Sequence, residues 1–106
     1  MESMVFITIT GLNYYYGKKP FKIGRIIKLE KDLDNEYDSN AIAATLPYIE
    51  KIGYVANSVH TVYDGTYSAG RLFDKFETSA YAEVIIVTDD SAIVKLLKDD
   101  EVQEKF

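Results

Sequence analysis

The 106-residue chain has no cysteine, no tryptophan, two prolines and a single histidine. Without cysteine there are no disulfides, no thiolate nucleophiles and no cysteine-ligated zinc, and the composition suits a reducing compartment. His60 stands alone in a segment that reads as helix, where a histidine is ordinarily surface or partly packed. An enzyme built on this chain would have to run on carboxylates, so the expectation is a non-catalytic protein without metal or cofactor. No apolar run approaches the roughly 20 residues of a membrane-spanning helix. Met1-Glu2-Ser3 has no basic segment leading into an apolar one, which gives the further expectation of an unexported, cytoplasmic protein.

What the chain does have is the make-up of one globular domain over residues 1–106, with 47% hydrophobic and 27% charged residues. Nine of its fourteen aromatic residues are tyrosines, whose rings pair a π face with a polar tip and suit half-buried surfaces. The net charge of −5 argues against wrapping a long duplex, which requires many neutralised phosphates. That total is uneven. Residues 1–29 set five basic groups against Glu2, for +4, whereas residues 30–106 hold seven basic and sixteen acidic groups, for −9. A basic face can therefore persist on an acidic protein, although charge runs commonly just face water.

Period-two alternation predicts strands over 5–10, 21–30, 41–46, 52–56 and 80–88, with a bulge where Gly24 and Ile26 break phase. Lys31 to Asn40 is turn chemistry throughout. Asn57 or Ser58 is placed to cap a helix carrying Val59, Val62 and Tyr63 and ending at Gly65. Ser68 is placed to cap a second helix with Leu72, Phe73 and Phe76 inward, and Ser91 a last one presenting Ile93, Leu96 and Leu97. Residues 98–106 read as a fraying tail outside a core of about 4–97. The implied fold is α+β: a small, OB-like, partly open β-barrel of five or six strands, with short helices after residue 57. Ile7, Ile9, Ile27, Leu29, Ile42, Val55, Ile85 and Leu96 are its expected core.

Two motif-like stretches fail on their details. Gly11 to Lys19 has five residues between its glycines rather than the four of a phosphate loop, and Lys19 where magnesium needs a hydroxyl. Asp32, Asp34, Glu36 and Asp38 mimic the opening of a calcium loop, but Tyr37 replaces its turn glycine and Ala43 its closing glutamate.

Three segments taken in order resemble the HIRAN domain: Gly11-Leu12-Asn13-Tyr14-Tyr15 after a strand, Asp34 to Ile42 (DNEYDSNAI) opening a strand, and Ile52-Gly53-Tyr54-Val55 before a helix. Gly65-Thr66 and Ser68-Ala69-Gly70-Arg71-Leu72 resemble its short, stand-alone bacterial type. Asn-x-Tyr-Asp-x-Asn-Ala-Ile is the most specific of these elements. The resemblance implies an OB-like barrel that captures the 3′-hydroxyl end of single-stranded DNA. It gives Tyr14 and Tyr37 the role of rings beneath bases, and Asp38, with Asn35 nearby, that of acceptor for the terminal hydroxyl. A carboxylate accepts from a hydroxyl and repels the phosphate of an uninterrupted strand. Asn13 and Asn57 stand where DNA-binding members have basic residues, and Tyr54 where an imidazole occurs; Lys18, Lys19 and Lys51 are the candidate replacements for the missing charge.

On the residues themselves, Tyr14, Tyr15 and Tyr16 fit packing over a barrel rim as well as binding, and Asn40 and Ala41-Ile42 fit architectural roles. Two functions remain open at this point. One is a nucleic-acid-end binder accessory to DNA repair or replication, with any helicase or nuclease activity supplied by a partner chain; the other is a protein-interaction or regulatory module with little DNA affinity. The expected nucleic-acid site is Asn13, Tyr14, Lys18, Lys19, Asn35, Tyr37, Asp38, Tyr54 and Asn57.

Overall fold

The apolar alternations become strands of one antiparallel barrel. A computed structural model describes residues 4–58 and 60–105 and contains β1 (Phe6–Thr10), β2 (Ile26–Lys31), β3 (Ile42–Leu46), β4 (Glu50–Val55), β5 (Ser79–Val87) and β6 (Ala92–Leu96), with helices α1 (Ala69–Leu72) and α2 (Asp99–Lys105). Single 3-10 turns at Leu12–Tyr14 and Phe73–Lys75 follow β1 and α1. The strand order is β1-β4-β3-β2-β5-β6, and the sheet closes on itself. The expected small barrel is present, closed rather than partly open. Closure comes from β6, where Val94 pairs with Ile7 of β1 on one side and with Val84 of β5 on the other.

Ile7, Ile9, Ile27, Leu29, Ile42 and Val55 lie in the core as the alternation requires, joined by Leu12, Ile52, Leu72, Val84 and Val94. Thr8 is also fully buried, its hydroxyl 2.8 Å from that of Thr66 and accepting the Tyr63 N–H at 3.2 Å, so its polarity is satisfied inside. Gly53 marks the tightest approach. A Cβ there would lie 2.8 Å from Ile9 Cγ2, 3.0 Å from Leu12 Cδ2 and 3.0 Å from the Thr10 carbonyl oxygen, so any side chain would push β1 and its following turn off β4.

Several local expectations are corrected. Residues 21–25 do not extend β2: Lys22 to Arg25 form a turn closed by Arg25 N–H to Lys22 O at 2.9 Å, with Gly24 at φ 89° and Ile23 exposed. The anticipated bulge is present at Gly24: Val84 O accepts the Gly24 N–H at 2.8 Å and the Val84 N–H donates to Arg25 O at 2.9 Å, so two residues face one; further register shifts lie in β5 between Val84 and Ile86 and between β3 and β4 after Ala44. Ile85 sits in the β5 shift and is only half-buried, leaving Val84 as the core residue; Leu96, also half-buried, packs against the core. Among the described residues, the segment after Asn57 forms turns rather than a helix. The Ser58 hydroxyl accepts the His60 N–H in a cap-like bond, but the chain must then carry Thr66 to Thr8 and bridge Tyr67 to Ile7; Val59 falls outside the described residues.

Residues 92–96 form β6, not a helix, because Ala92, Val94 and Leu96 also fit period two and strands β1 and β5 would otherwise leave edges unpaired. The hairpin leading into β6 is locked by Thr88, whose hydroxyl accepts the Ser91 N–H at 3.0 Å. The expected fraying tail contains α2, where Glu101 accepts the Lys98 N–H at 3.2 Å and pairs with Lys95 at 3.3 Å. Ser68 caps α1 as anticipated, accepting from the Arg71 N–H.

The contact at Gly53 yields a stability test. Gly53→Ala should lower unfolding stability by about 1–3 kcal/mol through overpacking, read by urea denaturation. A change within a few tenths would show that β1 yields without cost.

Candidate nucleic-acid interface

Pairing places the site. Thr10 pairs with Tyr54, which also pairs with Ala43, so the end of β1, the end of β4 and the start of β3 lie side by side. The loop that precedes β3 and the segment that follows β4 therefore leave the barrel together, whereas antiparallel pairing sends the segment that follows β1 the other way, along β4 past Gly53.

Within the β2–β3 loop, Asn35 Oδ1 accepts the backbone N–H of Tyr37 and of Asp38, both at 2.9 Å, a turn that only a short polar side chain can template. Asp38 is then held at both oxygens. Oδ1 accepts the Asn40 N–H at 2.9 Å and Oδ2 accepts Asn57 Nδ2 at 3.1 Å, while Asn57 Oδ1 accepts the Gly70 N–H at 2.9 Å. The loop, the end of β4 and α1 are thus joined through one carboxylate and one amide. Each Asp38 oxygen keeps a lone pair for a further donor.

Asp32 is a second hub. Its Oδ2 accepts from the Tyr54 hydroxyl at 2.6 Å, from Asn35 Nδ2 at 3.4 Å and from Lys51 Nζ at 3.5 Å. The Tyr54 hydroxyl, followed by Asn35 and Lys51, holds the Asp32 carboxyl below the usual carboxylate range. Burial, reinforced by the bond to Asp32, pushes Tyr54 above the ordinary phenol value. Lys51 Nζ lies 5.3 Å from the Tyr54 ring centroid, and the Tyr15 ring packs 6.4 Å from it at a 36° tilt.

The expected site residues separate into groups. Asn35, Asp38, Tyr54 and Asn57 belong to these two connected networks. Tyr37 is attached to them through its backbone, and its ring is 96% exposed; Tyr14 is 89% exposed. Asn13 and Lys19 are exposed, and no described contact ties Asn13, Tyr14 or Lys19 to the networks. Lys18 turns away to the β5–β6 hairpin, pairing with Asp89 at 3.2 Å. Of the three rings left open between packing and binding, Tyr15 packs on Tyr54, while Tyr16 walls an open groove floored by Ala43 and Thr45 of the barrel's outer face. Asp32 and Gly70 are the residues that sequence reasoning missed. Asp32 was visible only as one acid among several in the loop, and Gly70 as part of a helix start; their partners are remote in sequence. Among the described residues no cluster of acidic or histidine side chains could hold a metal ion, and no helix is long and apolar enough to cross a membrane.

The family model of the HIRAN domain matches residues 3–99. The chain belongs to the HIRAN domain family. HIRAN domains are nucleic-acid-binding modules rather than catalytic ones. The fold is similar to the crystal structure of the HIRAN domain of human HLTF, with a TM-score of 0.63 and 18% identity over 96% of this chain and 82% of that one. No curated protein matches the sequence.

The Asp32 hub predicts a pH signature. Because its folded pKa is lowered, the stability it contributes is present above the ordinary carboxylate pKa near ~4 and is lost as pH falls through the lowered value. Asp32→Asn should cost about 1–3 kcal/mol at neutral pH and flatten this acid-side loss. It should also lower the Tyr54 pKa, followed by NMR titration of ring-labelled tyrosine. An unmoved Tyr54 titration would contradict the coupling.

Proposed function

We propose that this HIRAN domain captures the 3′-hydroxyl end of single-stranded DNA, with Tyr14 and Tyr37 stacking on bases and Asp38 accepting the terminal hydroxyl. The observation that carries the reading is Asp38 itself. Its two oxygens are oriented by Asn40 and Asn57, each with a lone pair to spare, and the residue before it in the chain, Tyr37, is exposed to water. A fixed carboxylate accepts a hydroxyl at little ordering cost and repels a phosphate, which distinguishes an end from an interior position. Stacking on an exposed ring contributes about 1–3 kcal/mol per base and tolerates any sequence. In this role the protein is an accessory factor in DNA repair or replication, and any motor or nuclease activity comes from a partner chain.

A protein-interaction role is favoured by a different observation: Lys18 and Lys51, two candidate phosphate contacts, are each within 3.5 Å of a carboxylate. One assay separates the readings. A labelled short single strand with a free 3′-hydroxyl should bind more tightly than the same strand bearing a 3′-phosphate. Tyr37→Ala should weaken binding by about 1–3 kcal/mol whatever the terminal base, and Asp38→Ala should remove the preference for the hydroxyl. Absence of any end preference in the unmodified protein at low salt would transfer the assignment to the protein-interaction role.

A further inference from the structure

We propose that Arg71, with Lys75 beside it, is the phosphate-binding cation of this domain; the proposal rests on the end-binding reading above. Of the positions from which sequence reasoning expected charge, Lys19 alone is exposed without an ion pair among the described residues, and no described contact ties it to the Asp38 network. Asn57 is neutral and uses both ends of its amide, on Asp38 and on the Gly70 N–H. Lys18 is paired with Asp89, Lys28 with Glu30, Lys51 with Asp32 and Lys95 with Glu101.

Arg71 differs from these in place and in partner. It directly follows Gly70, the residue hydrogen-bonded to Asn57, and so begins within one side chain's reach of the Asp38–Asn57 pair. Its backbone is fixed by the Ser68 hydroxyl, which accepts the Arg71 N–H at 3.3 Å. The guanidinium carbon lies 4.1 Å from the Tyr67 ring centroid, and Lys75 Nζ lies 5.6 Å from the same centroid. Tyr67 is anchored in turn by its N–H to the Phe6 carbonyl at 2.7 Å and by its bridge to Ile7. Both cations are exposed, and among the described residues no ion pair engages either.

A guanidinium seated on a ring keeps its in-plane N–H donors free, in the fork that matches two phosphate oxygens. Two cations over one ring repel each other, and an anion between them relieves that repulsion. The strand's backbone phosphate, one nucleotide in from the end held at Asp38, meets this chemistry.

The salt dependence of binding tests the assignment, using the whole protein and a labelled single strand with a free 3′-hydroxyl. Arg71→Gln keeps a polar side chain over Tyr67 and removes the charge. It should weaken binding about tenfold or more at low salt and reduce the slope of log K against log salt by about 0.7, the value for one phosphate on a single strand. Preference for the hydroxyl over a 3′-phosphate should persist, because Asp38 is untouched. Arg71→Lys should retain the slope and lose affinity, and Lys75→Gln should lower the slope without affecting end preference. If Arg71→Gln leaves the slope unchanged while the unmodified protein still selects 3′-hydroxyl ends, the Arg71 assignment falls and the end-binding reading stands. An unmodified protein that selects no ends overturns both.

Discussion

The close approach of β1 to β4 at Gly53 governs where the aromatic turn after β1 lies. With no Cβ on Gly53, Ile9 and Leu12 descend onto β4 and become fully buried. Burial of Leu12 pins the 3-10 turn that it starts, leaving the next residues of that turn at the surface. Tyr14 is consequently exposed, and Tyr15 reaches the Tyr54 ring. The same strand sets both sides of the contact, since side chains alternate: Gly53 faces the core and Tyr54 faces out toward Asp32. One missing methyl group thereby couples core packing to the position of the aromatic surface.

A second layer of order is polar. The β2–β3 loop has no apolar anchor of its own between Leu33, which is exposed, and the buried Ala41. Its shape comes from Asn35 and Asp38 satisfying backbone N–H groups, and its attachment to the barrel from Asp32 with Tyr54 and Asp38 with Asn57. Such a loop is ordered without being buried. The lysines follow the opposite economy. Four of them sit against carboxylates, and two of these, Lys18 and Lys28, are among the five basic groups of the first 29 residues, so the formal basic excess of that segment is partly compensated. Charge available to a ligand is a property of which cations lack a nearby acid, and α1 carries such a cation in Arg71.

Strand alternation is a local property, and β1, β3, most of β5 and the Ser68 cap were legible because each depends on neighbours two to four residues away. The motif around Asn35, Tyr37 and Asp38 was legible for the same reason, its hydrogen bonds closing within three residues. Residues 92–96 were not. Ala-Ile-Val-Lys-Leu satisfies helical and strand periods alike, and only the two unpaired edges of β1 and β5 select the strand.

From its residues alone, then, the chain determined a small β-rich domain, most of its core, and a polar loop built to present Tyr37 and Asp38. Tertiary structure decided the closure of the barrel, the pairing of Tyr54 with Asp32 and of Asp38 with Asn57, and the neutralisation of Lys18 and Lys51. The division follows from range. Periodicity and turn chemistry act over a few bonds and are written in adjacent residues, whereas edge pairing and charge compensation join groups 19 to 71 residues apart and exist only once the sheet has closed.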